Sequence, residues 1–192
     1  MVKHQQNTQQ TGHRRNMISL DLGYSEKDFD DVYQEILKVT SKVKPYKIGA
    51  DDHHKNWDTW TLVENTFYGD LDYYKKRDWN QMALRLFPKL VSFVESLPIE
   101  GIGRVIIMSI PAGKEVPIHV DEQWRVEPFP EDYEGLLNIQ FGPRKKMFYY
   151  DAISKEKTYF EGRINLIDVS RLHGIDVSNE TTYSVRVDAK LI

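Results

Sequence analysis

The chain has 192 residues, 40% hydrophobic and 29% charged, with a net charge of −3. This is the balance of a globular chain long enough for one sizeable core, and it gives no basis for binding nucleic acid or an anionic membrane through bulk positive charge. With no cysteine, disulfides, thiolate zinc sites, iron–sulfur clusters and a cysteine nucleophile are excluded.

In chain order, residues 1–16 are polar and Gln-rich and read as a disordered N-terminal arm without the apolar segment of a signal peptide. No apolar run approaches the roughly 20 residues of a membrane span, so a cytoplasmic protein is expected. Residues 17–192 read as a single domain with its core over 101–192. A short strand-like run, 17–22, closes at Gly23. Ser25 reads as an N-cap with Asp28 three residues later, and Phe29, Val32, Tyr33, Ile36 and Leu37 recur at helical spacing, which predicts a helix to about Val43. Pro45 stops it. Residues 46–68 are aromatic and polar, with a strand expected at 59–63. A second helical pattern covers 70–97, its stripe made of Trp79, Met82, Ala83, Leu86, Leu90, Phe93 and Val94, with a break or kink at Pro88.

From Gly101 the pattern changes to short β-branched runs at 104–110, 116–120, 135–141, 146–150, 157–160, 163–169 and 182–191. Turn signals separate them, among them Pro111-Ala112-Gly113, Gly142-Pro143, Glu161-Gly162 and Ser178-Asn179. Strands at this spacing predict an α+β, mainly β fold, a sandwich or barrel of jelly-roll type, with the two helices outside the major sheet.

Six histidines are present. His4 and His13 lie in the arm, and His53 and His54 sit in a charged stretch that reads as a solvated loop. His119 and His173 fall in the β-rich half. In a strand, residues i and i+2 share a face, so His119 and Asp121 project together. One imidazole and one carboxylate at that spacing, joined by a distant imidazole, make the facial triad of non-haem Fe(II) oxygenases, with three cis positions left open. A lone His-x-Asp is also common on a strand end with no function. Its setting adds weight: the Pro111–Gly113 turn precedes it, His173 follows 52 residues after Asp121, and Arg186 comes thirteen residues later. Val185 and Val187 flank Arg186, so an alternating strand turns it to the opposite face. Facing the interior, its guanidinium needs a carboxylate partner. The alternative is a surface arginine paired with Asp188 or a neighbouring strand.

The block Pro111-Ala112-Gly113 to Pro117-Ile118-His119-Val120-Asp121, followed by Asp168, His173, Asn179 and Arg186-Val187, resembles the 2-oxoglutarate/Fe(II)-dependent oxygenases. Among them it is most similar to aspartyl/asparaginyl β-hydroxylase-like and prolyl-hydroxylase-like members, over roughly residues 104–190. The resemblance implies a double-stranded β-helix (jelly roll, cupin-like), Fe(II) held by His119, Asp121 and His173, and 2-oxoglutarate and O2 as cosubstrates. It implies that Arg186 grips the distal carboxylate of 2-oxoglutarate. Where β-hydroxylase relatives carry an Arg-x-His pair, this chain has Leu136-Leu137-Asn138-Ile139, which leaves the second cosubstrate contact to Asn138, Tyr149 or Tyr183. A carboxylate at position 121 favours hydroxylation over halogenation.

The resemblance further implies hydroxylation of an unactivated C–H bond, with an amino-acid or peptidyl side chain, or another small molecule, as substrate. Trp124 and Arg125 are candidate substrate residues, the loop 126–134 a candidate lid, and Trp57 and Trp60 candidate walls. A nucleic-acid-modifying oxygenase is an alternative; the one compact late basic cluster, Arg144-Lys145-Lys146, reads better as a solvated hairpin. Two rivals from other classes are a catalytically silent jelly-roll module that binds a metal or ligand, and a scaffold protein of a virus or larger assembly.

Overall fold

The computed structural model describes residues 18–45, 56–63, 78–121 and 136–192. The expected arm, His53 and His54, the substrate candidates Trp124 and Arg125, and the loop 126–134 lie outside the described residues.

Strand β1 (Ile18–Leu20) leads into α1 (Glu26–Thr40), whose start is a reciprocal capping box: the Asp28 backbone N–H reaches the Ser25 hydroxyl while the Ser25 N–H donates to the Asp28 carboxylate. Phe29, Val32 and Ile36 form its buried stripe. The second helical pattern is two helices, α2 (Gln81–Leu86) and α3 (Pro88–Glu95). Pro88 does not kink a continuous helix. It opens the new one, at a position where no backbone N–H is missed. Phe87 supplies no side-chain cap, and Glu35 of α1 does so instead, accepting the N–H groups of Lys89 and Leu90 at 3.0 and 2.9 Å.

The remaining strands are β2 (Asp58–Val63), β3 (Ile99–Glu100), β4 (Val105–Ile110), β5 (Val116–His119), β6 (Leu136–Phe141), β7 (Met147–Tyr150), β8 (Lys157–Tyr159), β9 (Ile164–Ile167), β10 (His173–Ile175), β11 (Thr182–Val187) and β12 (Lys190–Leu191). Two findings depart from the sequence expectation. The run 182–191 breaks at Asp188-Ala189, and β12 leaves the sheet to pair with β3. The two-residue β3 and the three-residue β10 are not among the runs read from the sequence, because segments this short carry no alternation, although His173 itself is placed on a strand or at its end.

Six strands form the major sheet in the order β1-β9-β6-β11-β4-β2, and four form the minor sheet in the order β5-β10-β7-β8. From β4 to β11 the chain passes between the two, with β4, β6, β9 and β11 in one and β5, β7, β8 and β10 in the other, and every pairing is antiparallel. This is the double-stranded β-helix: two facing sheets, not a closed barrel.

Alternation gives the major sheet two unlike faces. On the outer face Ile107, Leu137, Ile139, Phe141, Ile164, Val185 and Val187 pack with Phe29, Val32 and Ile36 of α1 and with Leu90, Phe93 and Val94 of α3 in one core. Burying each large apolar side chain contributes about 1.5–3 kcal/mol, which is how this sheet holds the helices. Gly142 ends β6 at φ +68°, and a β-carbon there would run into the Tyr33 ring. The inner face carries polar residues in register. Arg186 stands opposite Ile106 and Asn138, with Asn165 beyond, and Ser184 stands opposite Met108 and Gln140.

Candidate metal centre

His119 ends β5 and His173 opens β10, and the two are register partners with ring centroids 4.3 Å apart. Glycine follows His173 for a steric reason: a β-carbon on Gly174 would stand 2.8 Å from the Phe148 ring and 3.0 Å from the Val116 carbonyl oxygen. Asp121 lies just past β5, where its backbone N–H donates to the Val169 carbonyl, tying it to the loop that leads to His173.

Both imidazoles are held in the same way. Nδ1 of His119 lies 2.8 Å from the Pro117 carbonyl oxygen, and Nδ1 of His173 lies 2.8 Å from that of Arg171. A carbonyl oxygen only accepts, so each Nδ1 carries a hydrogen and each ring turns its Nε2 inward, where it can give a lone pair to an ion that takes the place of any proton there. Those Nε2 atoms are 3.4 and 3.7 Å from Asp121 Oδ1, and the three ligand atoms lie within 4.8 Å of one another. Cis ligands about 2.1 Å from an ion stand about 3 Å apart, a spacing reached by small side-chain rotations. Two neutral nitrogens and one carboxylate on one side of an ion fit Fe(II) with open positions on the other.

The electrostatics hold the set ready for a cation. Burial pushes Asp121 up, but its contact with His119 and the charge of Arg186 outweigh it and hold the carboxyl well below the usual range. Burial also pushes His119 down, and its contacts with Asp121 and the Pro117 carbonyl reverse this, leaving it raised. His173 is lowered, chiefly by burial.

Arg186 settles the choice the sequence left open by doing both things. It faces the interior, and it is paired with Asp188: Nη1 donates to Asp121 Oδ2 at 3.1 Å and Nε to Asp188 Oδ1 at 3.0 Å. Asp188 is fully buried and also accepts from Arg104 Nε at 3.2 Å. Asp121 therefore offers Oδ1 to the imidazoles and Oδ2 to Arg186, which fixes the carboxylate's orientation. Asp188 and Arg104 escaped the sequence reading. Asp188 has the same parity as Arg186, which was the signal available for it.

The other candidates divide. Asn138 is buried opposite Arg186 on the inner face, with Nδ2 3.8 Å from Met147 Sδ. Tyr149 is buried, and burial pushes its hydroxyl up to about 12. That hydroxyl accepts the Asp168 N–H at 2.7 Å, and its ring carries the Arg171 guanidinium 4.0 Å from its centroid, so Tyr149 braces the loop ahead of His173. Tyr183 is a correction. Alternation puts it on the outer face with Val185 and Val187, its ring 6.0 Å from that of Tyr33, away from the site. Trp57 stands beside the centre, its ring 6.4 Å from His119, whereas Trp60 belongs to the helix-side core and donates to the Val43 carbonyl. The basic cluster is a second correction. Arg144 and Lys146 are exposed, but Lys145 is only 3% exposed, because it shares the inward parity of Met147 and Tyr149.

No protein-family model and no curated protein sequence matches the chain. Solved structures do. A prolyl hydroxylase from Trichoplax adhaerens, in complex with a hypoxia inducible factor oxygen degradation domain peptide fragment, matches with a TM-score of 0.55 at 14% identity, over 91% of this chain and 82% of that one. OsALKBH1 matches with a TM-score of 0.56 at 15% identity, over 91% and 98%. A Pseudomonas putida prolyl-4-hydroxylase matches with a TM-score of 0.50 at 8% identity, over 92% of each chain. At these identities the likeness is one of fold, and at that level the resemblance to prolyl-hydroxylase-like oxygenases read from the sequence holds.

Proposed function

We propose that this chain is an Fe(II)- and 2-oxoglutarate-dependent dioxygenase that hydroxylates an unactivated C–H bond, its working unit a single domain over residues 17–192. One observation carries the reading: two Nε2 lone pairs and one ionised carboxylate oxygen converge, with both Nδ1 atoms anchored on backbone carbonyls. A structural zinc site is usually closed by four protein ligands, whereas the three that converge among the described residues leave room for reactants. That counts against a silent binding module.

His119, Asp121 and His173 would hold the iron. Bound iron, with 2-oxoglutarate and O2, supplies the oxidising power: the cosubstrate loses CO2 to become succinate as the substrate gains a hydroxyl. The chain's own contribution is geometry. Asp188 and Arg104 set Arg186, Arg186 sets Asp121, and Trp57 stands at one flank of His119. Asn138 is the inner-face candidate for a polar contact to the cosubstrate.

For substrate we favour an amino-acid or peptidyl side chain, with Trp124 and Arg125 as contacts because they follow Asp121 closely in sequence. Two observations support this class: the prolyl hydroxylase of similar fold is in complex with a peptide, and the basic cluster is not an open cationic patch. Lys145 points inward, and Arg144 is engaged with Glu26 and the Glu161 carbonyl. The test is succinate formation with Fe(II), 2-oxoglutarate and O2 in the presence of amino acids, peptides or methylated oligonucleotides. Stimulation by an amino acid or peptide, abolished in His173→Ala, is expected. Stimulation by oligonucleotides alone would reverse the substrate class, and no turnover above His173→Ala with any of them would overturn the enzyme reading.

A further inference from the structure

Among the described residues, three cationic side chains come off the inner side of the site: Arg104, which pairs with Asp188, Arg186 and Lys145. Arg186 is committed to Asp121 and Asp188. Lys145 is differently placed. It lies in the turn between β6 and β7, is 3% exposed, and sends its Nζ to the Ser184 hydroxyl at 2.8 Å and towards the Met108 carbonyl at 3.5 Å. Its backbone N–H donates to the Gln140 side-chain oxygen at 2.8 Å. The groups meeting it from β4, β6 and β11 are thus uncharged, and among the described residues no carboxylate pairs with it. An ammonium buried without a counter-ion is unfavourable, and burial alone lowers Lys145 from the ordinary lysine value to about 7.

Position says what would complete it. Ser184 and Arg186 are successive inward residues of β11, about 7 Å apart along the strand, and Arg186 touches the metal-site carboxylate. Lys145 therefore waits about one inward step from the metal centre, beyond a wall of Asn138, Gln140 and Ser184 that carries hydrogen-bonding groups and no charge. The two carboxyl carbons of 2-oxoglutarate are joined by four C–C bonds of about 1.5 Å each and stand about 5 Å apart when extended. Chelated at one end and hydrogen-bonded at the other, that molecule would span a step of this length.

We propose that Lys145, not Arg186, is the counter-ion for the distal carboxylate of 2-oxoglutarate, with Ser184 holding the ammonium in place. The inference rests on the 2-oxo-acid reading above. It moves the cosubstrate contact from the strand β11 arginine to the β6–β7 turn, and leaves Arg186 as the positioning residue of Asp121.

The test compares 2-oxoglutarate with 2-oxopentanoate, which has the same chain length and no distal carboxylate, each titrated anaerobically into the Fe(II)-loaded protein and followed by calorimetry. The wild-type protein should bind 2-oxoglutarate at least tenfold more tightly, and Lys145→Met should lose that preference while binding 2-oxopentanoate as before. A preference undiminished in Lys145→Met would overturn the assignment. A wild-type protein that binds iron but neither acid would overturn the 2-oxo-acid reading itself, a failure visible before any variant is made. A second measurement needs no variant. At pH 8 the wild-type protein should take up close to one proton with 2-oxoglutarate and none with 2-oxopentanoate, read from buffers of different ionisation enthalpy. Equal proton uptake with both acids would also count against Lys145.

Discussion

The two faces of the six-stranded sheet come from alternate residues of the same strands, and they differ in kind. On β11, Tyr183, Val185 and Val187 enter the helix-side core, while Thr182, Ser184 and Arg186 face the minor sheet. β6 repeats the division, with Leu137, Ile139 and Phe141 outward and Asn138 and Gln140 inward. The apolar face is stabilised by burial. The polar face costs stability, since Lys145, Arg186, Asp188 and Asn138 are all withdrawn from water, and it acquires value when a ligand completes it. One period-two pattern therefore encodes both the support and the site.

Substitutions on each face should separate these roles. The largest effect belongs to the outer face: Leu137→Ala should destabilise the fold by about 2–5 kcal/mol in chemical denaturation, with iron affinity of the folded fraction unchanged. A comparable loss of iron affinity would blur the division. Next, Asp188→Asn removes the anion that sets Arg186, and should weaken iron binding about 10–100-fold with little change in secondary structure. The smallest effect concerns Lys145 in the metal-free protein. Its pKa is lowered to about 7 in the fold against 10.5 for the unfolded chain, so between those values the unfolded state holds more protons and stability rises with pH. The wild-type protein should gain about 1 kcal/mol per pH unit just above pH 7.5 relative to Lys145→Met, measured by denaturation at several pH values. An identical pH profile in the two proteins would show that Lys145 is charged in the fold, or not buried as described.

Much of this was legible in the sequence. The capping box at Ser25, the strand runs of the β-rich half and the His119-x-Asp121 pair followed by His173 all carry local signals of spacing or hydrogen bonding. Part of what was missed lacks such a signal, and part carries one only in its parity. β10 is three residues long and is held by β5 and β7 on its two sides, not by its own propensity. Tyr183 was placed in the site by type, where parity with Val185 and Val187 already assigned it to the helices. Lys145, between Arg144 and Lys146, looks like one of three solvated bases. Only its parity with Met147 and Tyr149 distinguishes it, and that depends on knowing where β7 begins.

The central claim is that His119, Asp121 and His173 hold an iron ion with room for a chelating 2-oxo acid. The most direct measurement is an anaerobic titration of the protein with Fe(II) and 2-oxoglutarate, followed by visible absorption. A metal-to-ligand charge-transfer band should appear in the wild-type protein at one equivalent of iron and be absent from His173→Ala. No band in folded wild-type protein, or an equal band in His173→Ala, would contradict the account.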